Sequence, residues 1–124
     1  MIESNDAYCM CSLDGIMDIL GKKWVLLVLN SIGNHRTVRF GELYKELKGI
    51  SPSTLSSILR DLTGRNIVRK EIFPQVPLRV EYTLTDTGVE LRASLLPLLK
   101  WAGKYDTRVK EQDCCDANQY VSIL

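Results

Sequence analysis

The chain has 124 residues, 45% hydrophobic and 25% charged, and its 16 Lys and Arg nearly cancel 15 Asp and Glu, for a formal net charge of +1. That balance excludes an intrinsically disordered chain, which carries fewer large apolar residues and more net charge. The length suits one domain with its own hydrophobic core. No stretch approaches the roughly 18 consecutive apolar residues of a membrane-spanning helix. Residues Met1 to Asp6 are polar and acidic, the reverse of a secretory signal, so no membrane partner and a cytoplasmic location are expected.

The near-neutral total conceals a segregation of charge. Residues 1–21 hold four acids and no Lys or Arg, a net of −4. Residues 22–80 hold eleven basic and four acidic residues, a net of +7, and residues 81–124 a net of −2. A basic centre between acidic ends is the asymmetry expected of a chain with one face turned to a polyanion.

In chain order, Leu13, Ile16, Met17 and Leu20 fall at helical spacing, with Ser12 as candidate N-cap. Lys22 and Lys23 open a second helix, almost wholly apolar from Trp24 to Ile32 and ended by Gly33-Asn34. Val38-Arg39 is too short to be more than a bridge. Phe40, Leu43, Tyr44 and Leu47 mark the face of a third helix, stopped by Gly49. Ser51-Pro52 then reads as an N-cap and first turn, and Leu55, Ile58, Leu59 and Leu62 as the buried stripe of a fourth helix. The gap of about four residues between these two helices is that of a helix-turn-helix.

Residues 67–73 and 79–84 read as strands, separated by Pro74-Gln75-Val76-Pro77, which forbids a continuous ladder. Thr85 is a candidate N-cap for a long last helix with Leu91, Leu95, Leu98 and Ala102 on one face and a kink at Pro97. The expected organisation is an arm over 1–11, a domain over 12–105 and a tail or short helix over 106–124. The expected fold class is mainly α with a small β-hairpin wing (α+β), a winged helix-turn-helix.

In such a fold the second helix of the pair enters the DNA major groove by its N-terminal half. The candidate recognition residues are Ser51, Ser53, Thr54, Ser56, Ser57 and Arg60. Their small hydroxyls permit close approach, and Arg60 can make a bidentate contact to guanine. In the hairpin, Arg79 beside Pro77 is a candidate for the minor groove, with Arg69 and Lys70 on the incoming strand. Lys22, Lys23, Arg36 and Arg39 are candidate phosphate contacts, which position without reading sequence. No catalytic constellation is present, so an enzyme is not expected, and no cofactor is. His35 reads as an exposed turn residue.

The segments CSLDGIMDILGKKW (residues 11–24), RFGELYKELKGISPSTLSSILRDL (39–62) and FPQVPLRVEYTLTDTG (73–88) resemble the HxlR-type transcriptional regulators, relatives of the MarR type. The resemblance spans roughly residues 9–105. It implies a prokaryotic DNA-binding homodimer whose N- and C-terminal helices pack across the two-fold axis. By position, residues 51–60 would form the recognition element and Arg79 the wing arginine. The dimer surface would comprise Leu13, Ile16, Leu20, Leu91, Leu95, Leu98 and Trp101, and the target would be a pseudo-palindrome. Independently, the last helix carries more apolar surface than a monomer of this size covers easily.

The resemblance also implies that a cysteine just before the first helix, here Cys11, senses oxidants or electrophiles, with Cys9 additional. A helix N-terminus lowers a thiol's pKa, whereas nearby Asp14 raises it. An unreactive thiol in a dimer contact is the alternative. Cys9, Cys11, Cys114 and Cys115 are also enough in number for a thiol or metal sensor, but the spacing is not that of a C-x-x-C knuckle and no metal site is assigned. A winged helix that binds an acidic protein in place of DNA is the rival function.

Overall fold

The computed structural model describes the backbone of residues 11–105 and the side chains of residues 14–105. The order is α1 (Cys11–Leu20), α2 (Val25–Asn34), α3 (Phe40–Glu46), α4 (Pro52–Gly64), β1 (Val68–Phe73), β2 (Arg79–Leu84) and α5 (Asp86–Tyr105). This is the expected winged helix-turn-helix order. The expected arm and tail lie outside the described residues.

The core forms around α2, whose Val25, Val28, Leu29 and Ile32 are fully buried. A helix this apolar is stable only when covered on most sides, and α1, α3, α4, β2 and α5 all pack on it. From α4 come Leu55, Ile58, Leu59 and Leu62, from α3 Leu43, and from the sheet Val68 and Tyr82. Each aliphatic side chain taken from water contributes roughly 1.5–3 kcal/mol, so this shared contact with α2 dominates the arrangement of the helices.

Four local readings are corrected. The first helix begins at Cys11, so Ser12 lies within its first turn and does not cap it. Its inward anchor is Ile19, flanked by half-buried Ile16 and Leu20, while Met17 faces solvent. Lys22 and Lys23 belong to the turn before α2, which starts at Val25. Val38 does more than connect helices. Its N–H donates to the Tyr82 carbonyl at 3.0 Å and its carbonyl accepts from the Tyr82 N–H at 2.8 Å, which adds a one-residue third strand beside β2.

The two main strands pair antiparallel from Val68 opposite Leu84 to Phe73 opposite Arg79. Alternation puts Val68, Lys70, Ile72, Val80, Tyr82 and Leu84 on one face and Arg69, Glu71, Phe73, Arg79, Glu81 and Thr83 on the other. The first face enters the core at its root, through Val68 and Tyr82. Helix α5 runs through Pro97 without interruption. His35 is exposed, as expected, with Nε2 2.9 Å from Glu46 Oε2.

Thr85 fixes the start of α5. Its Oγ1 accepts from the Gly88 N–H at 3.0 Å, the N-cap bond expected, and donates to the Asn66 carbonyl at 2.7 Å. One hydroxyl thus ties the last helix to the turn after α4. Gly88 is the residue that lets α5 come so near, because an added Cβ there would lie 2.2 Å from the Ile67 carbonyl oxygen. Backbone cannot yield as a side-chain end can. Gly88→Ala is therefore expected to lower stability by about 1–3 kcal/mol, read by urea denaturation. A wild-type midpoint would mean that α5 can move off the α4–β1 junction at no cost.

Candidate nucleic-acid interface

The site is built on α4. Ser51 adopts extended backbone angles before the helix, and its Oγ accepts from the Thr54 N–H at 3.1 Å and donates to Thr54 Oγ1 at 2.8 Å. Pro52 opens the first turn, where a missing N–H costs nothing. Because Leu55, Ile58, Leu59 and Leu62 occupy the inward stripe, the 3.6-residue period turns Ser53, Ser56, Ser57 and Arg60 to solvent. Among the described residues Arg60 has no ion-pair partner. Of the six residues expected in the recognition helix, Ser51 is engaged as the cap and Thr54 is half-buried against it. The other four form one open polar face.

The turn that presents α4 depends on Gly49, whose φ of +98° lies in the left-handed region. Trp24 packs against it, its ring about 3.7 Å from where a Gly49 Cβ would stand. Trp24 also lines a groove of about 380 Å³ between the turn before α2 and the first half of α4, with Lys22, Lys23, Ser53, Thr54 and Ser57 around it and Ile58 beneath. The structure thus brings two of the expected phosphate-contact lysines beside α4. Lys22 Nζ is 3.0 Å from Asp61 Oδ2 on α4, and Lys23 Nζ lies 5.3 Å from the centre of the Trp24 ring.

The other candidate cations stand apart. Arg36 and Arg39 are exposed between α2 and α3, where the Arg39 N–H donates to Glu42 Oε1 at 2.9 Å. Arg69 and Lys70 are exposed on opposite faces of β1. Arg79 sits at the outer end of the ladder, the first residue of β2 after the loop. Its guanidinium lies 4.0 Å from the centre of the Phe73 ring and its Nε 3.6 Å from Glu81 Oε2. The wing arginine is therefore stacked and paired along the hairpin.

The residues expected at a dimer surface divide in two. Ile16, Leu20, Leu91 and Leu95 lean on the core, whereas Leu98 and Trp101 are exposed, Trp101 by 60%, together with Leu99 and Tyr105. The side chain of Leu13 lies outside the described residues. Cys11 is the first residue of α1 by its backbone, and its side chain, with Cys9, Cys114 and Cys115, lies outside them too. Among the described residues no three His, Cys, Asp or Glu side chains gather as metal ligands, and no helix is long and apolar enough to cross a membrane.

The sequence reading overlooked Arg92. Its Nε donates to Asn30 Oδ1 at 3.1 Å and its Nη2 donates to Asn34 Oδ1, joining α5 to the end of α2. Gly33 makes room for it, since a Cβ there would overlap the guanidinium. Burial lowers the Arg92 pKa from its ordinary value. The available signal was the Asn30–Gly33–Asn34 spacing, with two amides one helical turn apart around a glycine.

A helix-turn-helix with its second helix open to solvent, followed by a two-stranded wing, defines a DNA-binding winged helix. The HxlR-like helix-turn-helix family model matches residues 19–110. The chain belongs to that family, whose members are DNA-binding transcriptional regulators and not enzymes. It is 33% identical over 111 residues to the HTH-type transcriptional regulator sll1512 of Synechocystis, covering 88% of this chain and 77% of that protein. Its fold is similar to the reduced form of the transcriptional regulator YodB from Bacillus subtilis, with a TM-score of 0.70 and 27% identity over 84% of this chain and all of that one. It is also similar to the redox regulator HypR in its oxidised form, with a TM-score of 0.69 and 30% identity over 76% of this chain and 96% of that one.

The Arg79–Glu81 contact yields a measurable expectation. Glu81→Gln removes the competing carboxylate, so DNA affinity should rise and the slope of log K against log salt should steepen by up to about 1. An unchanged slope would mean that Arg79 reaches no phosphate.

Proposed function

We propose that this regulator binds a pseudo-palindromic operator as a homodimer, with α4 in the major groove and the β1–β2 hairpin beside it. The observation that carries the reading is the open face of α4. Its polar side chains Ser53, Ser56, Ser57 and Arg60 stand opposite a fully buried stripe, on a helix whose N-terminus is fixed by Ser51. Small hydroxyls near a helix N-terminus let the backbone approach the groove floor, and the arginine one turn further along matches the acceptor pair of guanine. Lys22 and Lys23 border the same helix, where they would contact the flanking phosphates, with Arg36, Arg39, Arg69 and Lys70 as further cations and Arg79 as the wing contact.

The exposed outer half of α5 supports the homodimer. Leu98, Leu99, Trp101 and Tyr105 present apolar area that a second copy would cover, as an isologous interface requires. The proposed surface also takes in the margins of Ile16, Leu20, Leu91 and Leu95, which lean on the core, and would include Leu13. Two-fold symmetry then places the recognition helices about one DNA turn apart.

Arg60→Ala should weaken binding to a duplex selected from a random library by about 1–3 kcal/mol and relax the choice of base at one position per half-site. A wild-type protein that binds every duplex equally, or none at low salt, would refute operator recognition and favour an acidic protein as partner.

A redox response through Cys11 is the second part of the reading. Cys11 is the first residue of α1 by its backbone, and both YodB and HypR have solved structures named for their oxidation state. Diamide would take the two thiol hydrogens of a cysteine pair to form a disulfide, Cys11 being one member. Diamide treatment is expected to lower DNA affinity in the wild type and not in Cys11→Ser. Equal loss in both proteins would exclude Cys11 as the sensor.

A further inference from the structure

The groove between the turn before α2 and the first half of α4 offers surface that contact with a duplex leaves unused. The Trp24 ring forms its wall and Ile58 its floor. Bases in a duplex are stacked on one another, so none of them can lie on Trp24, and phosphates gain nothing from Ile58. The ring has support on one side, its Cη2 standing 3.7 Å from where a Gly49 Cβ would lie. A volume of about 380 Å³ falls within the range of roughly 300–1,000 Å³ common to small-molecule sites, which join apolar walls to a few placed polar groups.

The polar groups define the charge that such a molecule would carry. Two lysines line the groove and, among the described residues, no acidic side chain does. Lys22 is paired with Asp61 at 3.0 Å, so the two lysines and that aspartate leave a single net positive charge, at Lys23. Lys23 Nζ lies 5.3 Å from the centre of the Trp24 ring, which sets this charge beside the aromatic wall. Thr54 Oγ1 accepts from Ser51 Oγ at 2.8 Å and keeps its own hydrogen to donate, and Ser57 adds a second hydroxyl. We propose that the groove holds a small aromatic carboxylate, with its rings on Trp24 and Ile58 and its anion at Lys23 and the hydroxyls, and that the bound ligand keeps DNA off α4. One unpaired cation matches a monoanion better than the doubly charged phosphate of a nucleotide. Ser53 and Ser57 belong both to the groove and to the outward face of α4, so ligand and duplex compete for the same side chains. The inference rests on the DNA-binding reading above and adds to it control by a ligand.

The experiment uses the full-length chain labelled with 15N, and 2-naphthoate as the probe at constant ionic strength. The two tryptophans, Trp24 and Trp101, report through their indole N–H resonances on the groove and on the end of α5. The Trp24 signal is expected to shift and saturate with a Kd on the order of 0.1–1 mM, while Trp101 stays in place. 2-Naphthamide has the rings without the charge, and acetate the charge without the rings. Each should bind at least about threefold more weakly, as loss of an exposed ion pair or of the apolar contact implies. Lys23→Gln should weaken 2-naphthoate by roughly threefold to fivefold. Lys45→Gln, which removes the same charge from the exposed face of α3, should leave it unchanged. At ten times its Kd, 2-naphthoate should lower affinity for a duplex selected from a random library by about tenfold. The proposal is overturned by a Trp24 signal that does not saturate, by equal binding of the amide or of acetate, or by equal loss in Lys45→Gln. Duplex affinity unchanged by bound 2-naphthoate would overturn it as well. If the wild type selects no duplex, the DNA-binding reading fails and the exclusion of DNA with it, while the Trp24 titration still decides whether the groove takes the ligand.

Discussion

The architecture depends on the burial of α2. A ten-residue helix with six large aliphatic side chains cannot stand alone in water, and it is covered by α1, α3, α4, α5 and the inner wing strand. Helix α4 is held by this contact through four aliphatic side chains. Their burial, at roughly 1.5–3 kcal/mol each, far outweighs any preference of the polar side chains opposite. The orientation of the polar face of α4 is thus decided by the core. The serines and Arg60 face outward because the leucines face inward.

Electrostatics refines what that scaffold presents. The basic centre of the chain is not uniformly available, since Lys22 is paired with Asp61 and Arg79 is stacked over Phe73 within 3.6 Å of Glu81. Partly exposed ion pairs are worth only about 0–1 kcal/mol, less than a charge-assisted contact to phosphate. Such pairs orient a cation in the unbound protein without barring its transfer to DNA. Arg92 is the contrasting case. Its partners are the amides Asn30 and Asn34, and its role is to fasten the helix with the exposed apolar end to the helix at the centre of the core.

Much of this was legible in the sequence because it is local. The Leu55–Ile58–Leu59–Leu62 spacing, the Ser51 and Thr85 caps, the left-handed Gly49 and the strand limits all follow from rules that span a few residues. What was missed involves distant partners. Met17 and Ile19 are equally apolar, and only packing on α2 decides that Ile19 turns inward. Val38 pairs with Tyr82 across more than forty positions, and Lys22 meets Asp61 across thirty-nine. The wing arginine was visible as a charge near a proline, but its stacking on Phe73 depends on the strand register. The side chains of the cysteines read from sequence lie outside the described residues.

The central claim is that burial of α2 sets α4 outward to enter the major groove. Dimethyl sulfate methylates guanine N7, which lies in that groove, and so tests the claim directly on a selected duplex. The account predicts two clusters of protected guanines, about one helical turn apart. Binding that leaves every guanine N7 equally reactive would contradict it.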